Sequence, residues 1–179
     1  MNLKTVLLAV PLAAAYIACV VLANVLTEHL GLVSIGFGLT CTAGTFAAGA
    51  TLLARNVTQD ITGRLVILAL MLTGCVLSWW LASPQLAVAS AAAFALSETA
   101  DMGVYTPLRR HGWPRAVVAA SLFGAVVDTL VFLHLAHFPV TADSVTGQLV
   151  VKIGISWAVA AVVGVSVAVL RQPIHPESA

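Results

Sequence analysis

Long apolar runs separated by short polar segments dominate this chain, and six of them approach the about 20 residues that a membrane helix needs. They cover roughly residues 5–26, 35–54, 65–82, 85–105, 115–137 and 147–170. The second is rich in Gly, Ala and Thr, and the third ends at a Ser83-Pro84 turn. The pattern predicts an all-α integral membrane protein of six transmembrane helices, forming one domain over residues 1–179. The loops between the runs are short, and the tail after Leu170 is too brief to fold alone. The first run follows a single basic residue and imitates a signal peptide. It continues through Leu26 and further spans follow, so it is expected to stay in place.

Composition strengthens this reading. The chain is 60% hydrophobic and 8% charged, where a soluble domain carries about 25% charged residues. A net charge of +1 offers nothing to nucleic acid. The basic residues fall on one side: Lys4, then Arg55 and Arg64, then Arg109, Arg110 and Arg115, then Arg171. The first, third and fifth loops hold no Lys or Arg. The positive-inside rule then predicts a multi-pass protein of the cytoplasmic (inner) membrane with both termini cytoplasmic. Cys19, Cys41 and Cys75 lie in apolar stretches without metal-type spacing and read as packing residues.

Candidate chemistry lies in polar residues at membrane depth. Glu98 and Asp101 are three apart in the fourth run and share a helix face beside Ser97. Asp128 is midway along the fifth, Lys152 lies in the sixth, and Asn24 is near the outer end of the first. A carboxylate at a helix centre costs roughly 2.5–3.5 kcal/mol to insert, so such groups face a bundle interior or a water-filled path. Three acids meet one base at depth, so two acids need hydroxyl or amide donors, protonation, or a ligand's donors. The competing reading is that Ser, Thr and Asn neighbours satisfy them all and merely join helices.

Arg55, Gln59 and Asp60 sit in a polar loop on the inner side, which reads as a solvated loop or as a gate. Trp79 and Trp80 suit an interfacial belt, and His29, His134 and His137 an interface rather than a metal site. No serine-protease motif, HExxH motif or nucleotide-binding loop occurs, so neither an enzyme nor a cofactor is expected.

In order along the chain, Asn24, the segment TAGTFAAGATLLARNVTQDITGR with Asp60 and Gly63, SAAAFALSETADMGVYTPLRR with Ser97, Glu98, Asp101, Tyr105 and Arg109, the pair Asp128 and Thr129 with Phe132, and Gly147, Gln148 and Lys152 resemble the queuosine precursor transporter family, also called the vitamin-uptake-like (VUT) family. The short loops are similar to those of compact actinobacterial or phage-encoded members. Where many members carry a second acid four residues before Asp60, this chain has Asn56. The resemblance implies uptake of 7-deazaguanine bases, the 7-cyano- or 7-aminomethyl-7-deazaguanine used in tRNA modification. A carboxylate can accept from the ring N–H and exocyclic amine of a guanine-like edge together.

Glu98 or Asp101 is the expected reader of that edge, with Asn24, Gln59 and Gln148 answering the carbonyl and ring nitrogen, and Phe94, Tyr105 or a tryptophan stacking on the base. Asp128 with Lys152, together with Asp60 and Arg109, are the coupling or gating candidates. The alternative is a substrate-binding subunit of an energy-coupling-factor vitamin transporter, docking a separate ATPase through small residues such as Ala14 and Ala18. Small residues also permit a homodimer. The expected partners are a purine-like small molecule and the lipid bilayer.

Overall fold

The computed structural model describes residues 3–108, 110 and 113–170, with the side chains of residues 3–8, 52, 53, 56, 57, 59, 60, 64, 113, 114, 116, 117 and 159–170 outside that description. Its element order is α1 (Leu3–Leu30), β1 (Leu32–Gly36), β2 (Leu39–Thr42), α2 (Thr45–Thr62), α3 (Arg64–Leu81), α4 (Pro84–Leu108), α5 (Trp113–Leu135) and α6 (Ala142–Leu170). The chain is thus mostly helical, and each helix overlaps one of the six apolar runs.

Two features depart from the sequence pattern. The second run was expected to be helical from residue 35, but an antiparallel hairpin occupies its start, and helix begins only at Thr45. Leu32 pairs with Thr42 and Ser34 with Thr40. The turn is built on Gly36, Phe37 and Gly38, all at positive φ, which a helix cannot accommodate. Short apolar runs carry no period long enough to separate strand from helix. The second departure is that residues 55–62 continue α2 rather than forming a loop. The helix meets α3 at Gly63, whose φ of 89° makes a one-residue corner. Thr58 and Thr62 bond back to the carbonyls of Ala54 and Thr58, so these two hydroxyls are absorbed by the helix itself.

The hairpin is fastened to the helices around it. Gly31, at φ 59°, ends α1 and donates to the Thr27 carbonyl. The Ala43 N–H returns to the Gly31 carbonyl at 2.9 Å, and the Gly44 N–H bonds the Thr27 hydroxyl at 3.2 Å. A Cβ on Gly44 would lie 1.8 Å from the Ala23 carbonyl oxygen, and one on Gly147 of α6 would lie 2.1 Å from that of Thr40. Backbone from α1, β2 and α6 is therefore in direct contact at this end of the bundle.

Helix α4 packs chiefly on α5, α1 lies against α2 and α3, and α2 against α6. The buried apolar clusters are small: Tyr16, Val20, Met71 and Cys75 form one, and Leu86, Ala89 and Ala136 another. Large apolar side chains instead face outward, with Leu65 at 83% exposure, Trp80 at 81% and Val118 at 68%. Two windows, Ala9–Leu30 and Val118–Leu135, are long and apolar enough to cross a bilayer, and Leu65–Leu81 is a shorter apolar helix. Only 17% and 22% of those two windows are buried within the chain, so their apolar faces need a nonpolar medium outside it.

Candidate functional site

Small and polar residues recur at helical spacing on the inward faces. On α1 these are Tyr16, Val20, Asn24 and Thr27; on α2, Thr45, Ala48, Thr51 and Arg55; on α4, Ser90, Phe94, Ser97 and Asp101; on α6, Gln148, Lys152 and Ser156. Steps of three and four residues keep each set on one stripe. Together with Asp128 and Phe132 of α5 and Thr42 of β2, the stripes line a partly open cavity of about 510 Å³.

Two ion pairs cross its walls. The Lys152 ammonium donates to Asp128 Oδ2 at 2.7 Å and to the Thr129 hydroxyl at 3.0 Å, joining α6 to α5. Lys152 is 4% exposed, so the ammonium is buried while its carboxylate partner stays partly open. Arg55 of α2 pairs with Glu98 of α4, and its guanidinium lies 5.3 Å from the centre of the Phe94 ring. The expectation of a single base at depth is thereby corrected. Because α2 continues as helix past residue 54, it carries Arg55 inward instead of leaving it on a loop. The Arg55 alkyl stem lets the cation reach a partner away from its own backbone.

Neutral groups are mostly used up within the protein. The Asn24 amide donates to the Ser78 hydroxyl at 3.0 Å, and its oxygen accepts from Ser90 at 2.7 Å. The Thr42 and Thr45 hydroxyls bond each other at 2.9 Å. The Thr27, Thr51 and Ser97 hydroxyls donate to carbonyls of their own helices, and Ser156 donates across to the Gly49 carbonyl. Among the described residues, the Tyr16 hydroxyl, Arg55 Nε and both amide atoms of Gln148 are buried without a hydrogen-bond partner in the protein.

The family model of the putative vitamin uptake transporters matches residues 13–166. The chain belongs to that family. The match takes in most of α1 and everything from there to within α6, so the walls of the cavity lie inside it. Among curated proteins and among solved structures, nothing matches this chain. Membership of the vitamin uptake transporter family, with the outward-facing apolar helices, makes this a membrane protein that handles a small molecule and is a transporter rather than an enzyme.

Within this vitamin uptake transporter, the residues singled out in the sequence fall into three groups. Asn24, Phe94, Glu98, Asp101, Asp128, Gln148 and Lys152 all line the cavity. Tyr105, one turn beyond Asp101 on α4, is not among its lining residues. The side chains of Gln59 and Asp60, near the end of α2, and all of Arg109 lie outside the described residues. The sequence reading missed Tyr16. Its signal was its place eight residues before Asn24, two helical turns along the same face. Among the described residues no cluster of three or more His, Cys, Asp or Glu side chains is disposed to hold a metal.

Proposed function

We propose that the protein is an uptake transporter for queuosine precursors, carrying 7-cyano- or 7-aminomethyl-7-deazaguanine through a single six-span domain of the inner membrane. The observation that carries this reading is the partly open cavity of about 510 Å³ with two ion pairs spanning its walls. Its size suits a bicyclic base. Among the described residues its charged lining comprises Arg55 and Lys152 against Glu98, Asp101 and Asp128, a balance that gives no attraction to an anion.

In this reading Glu98, with Asp101 beside it, accepts from the N–H and amine of the base. Arg55 holds the Glu98 carboxylate until the base arrives and then exchanges it, while remaining over Phe94. Phe94 offers the flat face on which the base stacks. Asp128 and Lys152 form the coupling or gating pair. They link α5 to α6, and separating them frees one helix from the other. Gln59 and Tyr105 are further candidates for contact with the base, and Asp60 and Arg109 for coupling or gating, with both termini on the cytoplasmic side.

The test is rescue of uptake in a bacterium that can neither make nor import the precursor, read as queuosine in tRNA. Wild type restores queuosine at low external precursor. Glu98→Gln at equal membrane expression lowers it by about tenfold or more, the loss expected when a charge-assisted pair is weakened. Well-expressed wild type that restores nothing overturns the substrate. Co-purification with an ATPase would instead favour the energy-coupling-factor subunit.

A further inference from the structure

We infer that Tyr16 and Gln148 are the specificity-determining residues of the cavity, and that its ligand presents an amide-type edge, a donor and an acceptor side by side, to Gln148. The inference rests on the cavity being the transport site. It singles out Gln148 among the amides expected from the sequence, adds Tyr16, and states the ligand edge they read.

Both side chains are fully buried, at 0% exposure, and both line the cavity. Neither the Tyr16 hydroxyl nor either amide atom of Gln148 bonds to the protein. Buried polar atoms are almost always partnered, so three orphans on one cavity wall system need an account. The contrast with Asn24 is direct. That amide has the same chemistry and lines the same cavity, yet both of its ends are engaged by serines. Asn24 is structural, whereas Gln148 is held in reserve.

The fold also fixes where Gln148 sits. Its neighbour Gly147 is pressed against the Thr40 carbonyl with no room for a Cβ, which pins this turn of α6 against β2. Four residues on, Lys152 is anchored to Asp128 and Thr129 on the same helix face. An amide placed on such a fixed turn pays little ordering entropy when it binds. The Tyr16 ring is equally fixed, packed with Val20, Met71 and Cys75.

A carboxamide offers one accepting oxygen and one donating NH2 in a plane. Its complement is an edge with an N–H for the oxygen and an adjacent acceptor for the amine: a lactam in a simple base, or, in a 7-deazaguanine whose lactam N–H is held by Glu98, the pyrrole N–H beside the neighbouring ring nitrogen. A ligand lacking that pair leaves Gln148 desolvated and unanswered, which makes a site of this kind selective. Tyr16 adds one hydroxyl contact from α1, so helices α1 and α6 grip the same molecule.

The full-length protein in lipid nanodiscs tests this with Tyr16→Phe and Gln148→Met. Each removes the polar atoms and keeps the bulk. Thermal melting without ligand and binding of 7-cyano-7-deazaguanine, guanine and uracil are measured. The expected result is a melting temperature unchanged or raised in both variants, with affinity for a lactam probe about 10-fold weaker in Tyr16→Phe and at least 10-fold weaker in Gln148→Met. A fall of several degrees without ligand means that these groups hold the fold together and overturns the inference, as does deazaguanine binding that neither variant weakens. If wild type binds guanine or uracil but not the deazaguanine, and the variants lose that binding, the inference stands and the proposed substrate falls. If wild type binds none of the three, both fall.

Discussion

Lys152 donates from α6 to two acceptors on α5, and the acid it holds is 31% exposed at the side chain. Removing the base therefore leaves a partly buried carboxylate without the ammonium that answers it. Lys152→Met is expected to cost about 1–3 kcal/mol of stability, and adding Asp128→Leu to recover most of it, because a stranded charge costs more than a missing pair. Unfolding of the two variants in lipid nanodiscs gives the coupling directly. A double variant no more stable than the single one would mean that Asp128 finds other donors. At this scale the sequence was informative for acids and amides, since Asn24, Glu98, Asp101, Asp128 and Gln148 stand out against apolar neighbours and all line the cavity. For Tyr16 its only signal was the spacing from Asn24, because an aromatic residue in an apolar run otherwise reads as ordinary packing. Nor can a linear sequence separate a satisfied amide from an orphan one: Asn24 and Gln148 differ only in what α3 and α4 bring to them.

Helix α2 and the hairpin before it show where element boundaries escape the sequence. The hairpin was hidden in a short apolar run that suits strand or helix nearly equally, and the end of α2 in a polar segment, RNVTQDIT, that reads as a loop. Tertiary contact decides the matter, through the hairpin ties to α1 and the seat of β2 under α6. Gly147→Ala is accordingly expected to lower stability by about 1–3 kcal/mol, the cost of forcing a methyl group into occupied space. The contacting atom is backbone, so no side chain can turn away. Gly154→Ala, on the same helix with nothing within 4 Å, is the control and should be neutral or slightly stabilising. Melting temperatures of the two variants side by side decide whether the β2 seat is as tight as described. The corner at Gly63 behaves differently. Space is open there, but φ is 89°, so Gly63→Ala should cost about 1–2 kcal/mol through backbone strain alone.

For the whole molecule, the helices and their order were legible, because each apolar run is long and its flanks are polar. The proposed orientation rests on the one-sided placement of the arginines, and labelling can test it. Phe37→Cys at the hairpin tip and Thr62→Cys at the end of α2, each in a background lacking Cys19, Cys41 and Cys75, should react oppositely with a membrane-impermeant maleimide on intact cells. The hairpin cysteine is expected to label from outside and the α2 cysteine only after lysis. Equal labelling of both would sink the six-span arrangement.

The fastened hairpin also sets a timescale. A loop anchored only at its two ends can flutter aside in nanoseconds and let a solute slip by. This hairpin supplies Thr42 to the cavity wall, is bonded at its base to α1, and lies beneath α6. It cannot leave without unseating a helix on either side, and such collective motion takes microseconds to milliseconds. Passage across that face is thus clocked by helix movement, and leakage between transport cycles is suppressed by the mechanical stiffness of the joint itself.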